Sequence, residues 1–299
     1  MTYDLIILTD HRYLEDSNDP YKHNVFYEDE LVLKASQKLG LQVTRRAWDD
    51  ETVDWSQTKC ILFRSTWDYF DRFKEFSGWL NKVKTQTKLI NSRELIHWNI
   101  DKHYLNDLSA KGVHIPDTIF IKKGDTRTLH EIHLDQKWNK TVLKPCVSGA
   151  GRHTYLLNSD NLVKHEAIYK SLISDEDMMI QVFQQNIVDQ GELSLMLFNG
   201  EFTHAVLKKV KSGDFRVQDD FGGTVHQYTP SQQEVEFAQN TITQCPELPV
   251  YARVDIFYDN NHNLALGELE LIEPELWFRL MPSAAEVLAK HLKNLIDET

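Results

Sequence analysis

The stretch ARVDIFYDNNHNLALGELELIEPELWF, residues 252–278, holds carboxylates where a buried strand would hold valines. Asp255 interrupts Arg253-Val254 and Ile256-Phe257, and Glu268, Glu270, Glu273 and Glu275 crowd one short apolar run. DNNHN, residues 259–263, reads as the turn of a hairpin between RVDIFY and LALGELEL. Strand side chains alternate faces, so Glu268 and Glu270 point the same way. A turn centred near Asn261 pairs Asp255 with Gly267, and a one-residue shift or bulge pairs it with Glu268. Like charges that close push one pKa up unless a cation compensates, and Mg²⁺ takes carboxylate oxygens. The competing reading is a solvent-facing polar stripe, with Arg253 neutralising part of the charge.

The rest of the chain bounds what such a hairpin serves. At 299 residues it is long for one core, so two or three domains or lobes are expected. A net charge of −12 argues against wholesale binding to a nucleic-acid backbone or an anionic membrane. Cys60, Cys146 and Cys245 are far apart with no CxxC, which fits core residues in a reducing compartment. MTYDLIILTDHR has no basic leader character and reads as a first core strand. No apolar run approaches the ~20 residues of a membrane span, and a cytoplasmic location is expected.

Residues 3–8, LQVTRRA, CILFR and KLI read as strands alternating with helices in YEDELVLKASQKLG and FDRFKEFSGWLNKV. That alternation predicts a parallel α/β domain over residues 1–97. WNIDKHYLNDLSAKG reads as one helix opening a second region, residues 98–177, with strands in IPDTIFI, TVLKP and HTYLLN and a helix near 159–173. A third region, residues 178–299, starts at MMIQVF. Its hairpin ELSLMLFNGEFTHAVLKKV turns at Asn199-Gly200, a dipeptide suited to a type I′ turn. FRVQ, a helix near 231–245, the acidic hairpin and a helix over 282–297 follow. Both later regions are mixed α+β.

Three further pieces are individually modest. Lys144 ends an apolar strand before Ser148-Gly149-Ala150-Gly151, whose small residues let backbone N–H groups approach phosphate oxygens. No GK[ST] follows and the third dinucleotide-binding Gly is missing, so an ordinary hairpin turn competes. Lys102 opens a helix, and FRVQDDFGG adds Arg216; surface roles compete for both.

In order, Lys102, Lys144 with its glycine loop, MIQVFQQNIVDQGE, FRVQDDFGG and VD…ELELIEP resemble the ATP-grasp superfamily, over roughly residues 98–299. The glutathione synthetase-like branch is the nearest in pattern. FRSTWDY, HWNIDKHYL, HAVLKKV, YARVDI and ELELIEP are also similar to the cyclo-ligases that close the D-cycloserine ring from O-ureido-D-serine. The resemblance implies an α/β N-terminal domain followed by a two-lobed α+β ATP-grasp domain. It implies that Lys102 and Lys144 reach the ATP α/β-phosphates, while Ser148, Gly149 and Gly151 close over the β/γ-phosphates. Gln181, Val182 and Phe183 would be the hinge at adenine, Glu192 the ribose acceptor, and Arg216 the catalytic γ-phosphate clamp. Asp255, Glu268 and Glu270 would hold Mg²⁺, as one or two ions, with Mn²⁺ an alternative. Glu270 stands where the family usually has Asn, which leaves the metal count and ligand set open.

The implied chemistry is activation of a small carboxylate as an acyl phosphate for attack by an amine or an intramolecular nucleophile. A kinase-like phosphotransferase and a nucleotide-binding module without ligase activity are the alternatives. Substrate candidates come from FRSTWDY, at the end of a first-domain strand where α/β sheets bind ligands. Arg64 would hold a carboxylate with Ser65 and Asp68 nearby, although Ser65 and Asp68 equally suit helix capping. Lys208 or Lys209 would face the phosphates, since strand alternation admits one. Arg279 is a further pocket candidate, and Trp277 reads as core. The partners expected are small molecules, without nucleic acid or membrane; a homodimer is compatible with the resemblance.

Overall fold

Strand β1 (Tyr3–Thr9) is buried along most of its length, and a strand covered on both faces belongs at the centre of a parallel sheet. It lies between β2 (Val43–Ala47) and β3 (Thr58–Ser65), with β4 (Lys88–Ile90) beyond β3 and every pairing parallel. The crossovers carry α1 (Pro20–Lys38) and α2 (Phe73–Val83). Helix α1 starts where Asp19 accepts the Tyr21 and Lys22 N–H groups and Pro20 takes the first turn. The computed structural model describes residues 2–149, 151–211 and 222–298. Among these the strands form three sheets.

The expected single helix over WNIDKHYLNDLSAKG is instead α3 (Arg93–Asn99) and α4 (Tyr104–Ala110). The break falls at Asp101, whose carboxylate accepts the His103 N–H at 3.0 Å; such a local bond competes with the helix. Lys102 sits in that break, buried, with its N–H donated to Cys146 O. The second sheet is antiparallel, with β5 (Thr118–Ile121), β6 (Lys140–Pro145), β7 (Tyr155–Asn158) and β8 (Met178–Val182) in the order β5-β8-β6-β7. The boundary expected at residue 178 falls at the start of β8, inside this sheet. MMIQV does not open the third region but inserts between β5 and β6, where an apolar strand finds hydrogen-bond partners on both edges. Helices α5 (Leu129–Gln136) and α6 (Leu162–Asp175) cover this sheet, burying Leu129, Ile132, Tyr169 and Ile173 against Leu143 and Ile180. Helix α5 was not anticipated, although its Thr128/Glu131 capping box was legible.

After the short α7 (Gln185–Gln190), the third sheet contains β9 (Glu192–Phe198), β10 (Glu201–Lys209), β11 (Thr224–Tyr228), β12 (Tyr251–Tyr258) and β13 (Leu264–Glu270). Its order is β11-β10-β9-β12-β13. The β9–β10 turn has positive φ at both Asn199 and Gly200, as a type I′ turn requires. Helix α8 (Gln232–Thr243) begins with a Ser231/Glu234 capping box, and α9 (Pro282–Asp297) closes the chain of elements. Leu5, Ile7 and Leu62 of the first sheet share one core with Met196, Phe198, Leu288 and Leu292. The first domain is thus packed directly onto the third sheet. All three cysteines are buried and free. FRVQ and Arg216 lie outside the described residues.

Candidate active site

The hairpin β12–β13 pairs Asp255 with Glu268 and then Ile256 with Leu266. Gly267 is the extra residue of a bulge, so the shifted register of the two possibilities is the one adopted. Carboxylate oxygens of Asp255, Glu268 and Glu270 consequently lie within 4.8 Å of one another. They open onto a cavity of about 480 Å³, a size usual for small-ligand sites, lined by all three regions of the chain.

Each acid meets a cation. Asp255 accepts Ser194 Oγ at 2.6 Å, Lys208 Nζ at 2.9 Å and Arg253 Nε at 3.0 Å. Arg253 also bonds Glu270. Lys102 Nζ lies 3.1 Å from Glu268 and donates to Ser148 O at 2.6 Å, tying the acid hairpin to the glycine loop. Lys208 points inward, 2.6 Å from Glu192, while Lys209 is exposed, as strand alternation requires. Lys144 lines the same cavity with no ion pair or hydrogen bond to its ammonium among the described residues.

The electrostatics follow. Burial works to raise the Asp255 carboxyl, but Arg253 and Lys208 outweigh it and hold the group below the usual carboxylate range. Burial pushes Glu270 up to about 8, with Glu268 and Asp255 adding to the rise against Arg253. Burial lowers the Lys144 ammonium. The rise at Glu270 shows that the cluster's own cations do not fully offset the crowding of its three carboxyls. The cluster's all-oxygen donor set suits a hard divalent ion, so the residues fit Mg²⁺ or Mn²⁺.

The glycine loop runs from β6 against the first domain. A Cβ on Gly149 would stand 2.6 Å from Cε1 of the Phe70 ring, so only glycine lets the loop lie there. Ser148, Gly149 and Gly151 line the cavity. At the hinge only Gln181 does so. The Val182 and Phe183 N–H groups are already donated to Asp117 O and Lys140 O, at 2.9 and 3.0 Å.

The four first-domain and C-terminal substrate candidates are placed elsewhere. Arg64 is 4% exposed, with Nε 3.2 Å from Asp29 and Nη1 donating to Pro274 O at 2.7 Å. Ser65 Oγ donates to Asp29 at 3.1 Å. Asp68 accepts Trp48 Nε1 and Arg72 Nη1, both at 2.7 Å, and helix α2 has no side-chain cap. Arg279 pairs with Glu28 at 3.1 Å and with Glu275. None of the four lines the cavity: carboxylates claim Arg64, Ser65 and Arg279, and Trp48 and Arg72 claim Asp68. Sequence reasoning missed the wall that does: Arg12, Tyr13, Tyr21, Trp67, Tyr69 and Glu273. Tyr69 closes the FRSTWDY motif and Glu273 belongs to the acid run, so both were visible without an assigned role.

Comparison with known proteins agrees with this layout. The profile of the D-cycloserine synthetase DcsG N-terminal domain matches residues 5–91, and that of the prokaryotic glutathione synthetase ATP-grasp domain matches residues 112–249. The chain is 28% identical to the cycloserine biosynthesis protein DcsG of Streptomyces lavendulae, over 89% of this chain and 94% of that protein. The crystal structure of D-cycloserine synthetase DcsG superposes with a TM-score of 0.87 at 24% identity, covering 98% of this chain and 99% of that one. A D-alanine–D-alanine ligase from Bacillus anthracis shares the fold more distantly, with a TM-score of 0.65 and 14% identity over 100% and 97% of the two chains.

Proposed function

The chain belongs to the ATP-grasp superfamily of ATP-dependent ligases, and from that premise we propose that it activates a small carboxylate as an acyl phosphate. An amine or an intramolecular nucleophile then displaces the phosphate, releasing ADP and orthophosphate. The observation that carries this reading is the convergence of Lys102, Lys144 and Lys208 with Asp255, Glu268 and Glu270 on one cavity. Phosphoryl transfer needs little covalent help from a protein. It needs positioned charge where the phosphate oxygens are.

In this reading Lys144, whose ammonium has no partner among the described residues, and Lys102 reach the nucleotide phosphates. Ser148, Gly149 and Gly151 offer close backbone approach to the terminal phosphates. Gln181 stands beside the base, and Glu192, fixed by Lys208, accepts the ribose hydroxyls. Asp255, Glu268 and Glu270 would hold a divalent cation, which when bound neutralises phosphate charge and orients the transferred group. Arg216 retains its proposed γ-phosphate role, in a segment outside the described residues. The likeness to the cycloserine biosynthesis protein makes ring closure the first variant of the reaction to assay.

The test supplies ATP and Mg²⁺ with the D- and L-forms of alanine and serine, or with O-ureido-D-serine. Each is assayed with and without glycinamide as an amine. A ligase releases ADP and orthophosphate together and stops when EDTA is added. ADP without free phosphate would mark a phosphotransferase, and neither product from any mixture would mark a binding module.

A further inference from the structure

We propose that Glu273, steadied by Tyr69, takes the proton from the nucleophile as it displaces the phosphate. The residue lies just beyond β13, and two first-domain side chains hold it there. Trp67 Nε1 donates to Glu273 O at 2.8 Å, and the Tyr69 phenol faces the Glu273 carboxyl and favours its ionised form. Both come from the segment after the C-terminal end of β3, the end at which α/β sheets bind ligands.

Position separates Glu273 from every other acid of the site. Asp255, Glu268, Glu270 and Glu192 each form an ion pair with a lysine or arginine. Among the described residues no such pair reaches Glu273. It lines the same cavity as the acid cluster, the three lysines and the aromatic side chains of Tyr13, Tyr21 and Trp67. The groups facing it are Tyr69, Lys102, Tyr251, Glu268 and Glu270. Burial is the largest influence and pushes its carboxyl up to about 7, where a proton acceptor is most effective.

The chemistry rests on the ligase reading. The amine nitrogen forms a bond to the acyl carbon, the carbon–oxygen bond to phosphate breaks, and orthophosphate leaves with the electron pair. The N–H proton passes to a Glu273 carboxylate oxygen and from there to solvent.

Nucleophiles of different basicity test this. The carboxylate of the panel that supports ADP release in the wild type is offered with either glycinamide or hydroxylamine. Hydroxylamine is neutral at pH 7 and reacts with far less need of a base. Glu273→Gln should lose about 10²–10³-fold in rate with glycinamide and no more than about tenfold with hydroxylamine, read as hydroxamate. Equal losses with both nucleophiles, or none with glycinamide, would overturn the assignment. Tyr69→Phe gives an independent check. The phenol favours the ionised carboxylate, so its loss should move the acid limb of the kcat profile to higher pH, and an unmoved limb counts against the pair. Absence of ADP from the wild type with every nucleophile removes the ligase reading, and the inference with it.

Discussion

The chain buries two networks of opposite charges that are built from the same residue types and differ in what they leave over. At the junction of the first domain with the third sheet, Asp29 accepts Arg45 at 2.9 Å, Arg64 at 3.2 Å and Ser65 at 3.1 Å. Glu28 accepts the Phe278 and Arg279 N–H groups at 2.8 and 2.9 Å, as well as the Arg279 guanidinium. Around the cavity, Lys102, Lys208 and Arg253 hold the hairpin acids, but among the described residues Lys144 has no counter-ion of its own. A network in which each charge has a counter-ion fixes two bodies together. One that keeps unpaired charge beside open space is arranged for something that arrives. Burial alone separates the two poorly, since Arg64 at 4% and Lys208 at 5% are almost equally exposed.

The sharpest way to break this contrast is Arg64→Ala. If the junction network is fully ion-paired and structural, removing one guanidinium costs about 3–5 kcal/mol of stability, seen in denaturant unfolding, and activity per folded molecule stays near normal. A stable variant with lost turnover would return Arg64 to the substrate and undo the distinction. Lys144→Ala should behave in the opposite way. Its ammonium is desolvated without a partner among the described residues, so the variant should keep or slightly gain thermal stability while turnover falls about 10²–10³-fold. Unchanged ADP release with a lowered Tm would mean that Lys144 belongs with the structural charges.

A smaller effect comes from His204, on the junction side. It is buried and donates Nε2–H to Leu276 O at 2.8 Å. Burial lowers its pKa from 6.5 to about 4. The unfolded chain then binds more protons than the folded one between those values, so stability is lost as pH falls from 6.5 towards 4. The contribution is at most about 3 kcal/mol. Urea unfolding at pH 7 and pH 4.5 should show a smaller pH difference for His204→Asn than for the wild type. Equal differences would place the acid sensitivity elsewhere.

How much of this was legible beforehand depended on the range of the interactions involved. The parallel first domain, the Asn199-Gly200 turn and the acid hairpin were readable because alternation, turn chemistry and hydrophobic runs act within a few residues. The bulge at Gly267 was one of two registers the turn allowed, and it is the one in which β13 pairs with β12. Strand β8 was recognisable as a strand but not as the partner of β5 and β6, which are far from it in sequence. The same limit applies to Arg64. Its position at a strand end suited a ligand, and only the approach of α1 and the Pro274 segment showed that its donors were taken.

The amino-acid sequence by itself determined the inventory of the site: three lysines, a glycine loop and an ordered run of acids, spaced so that strands and turns would present them. The tertiary structure decided which of those charges face each other and which face empty space. It also added Tyr69 and Trp67 from a different domain to the end of the acid run. The reason is physical. Strand faces and turns follow from neighbouring residues, whereas the energy of a buried charge is set by whatever the distant chain brings within a few ångströms of it.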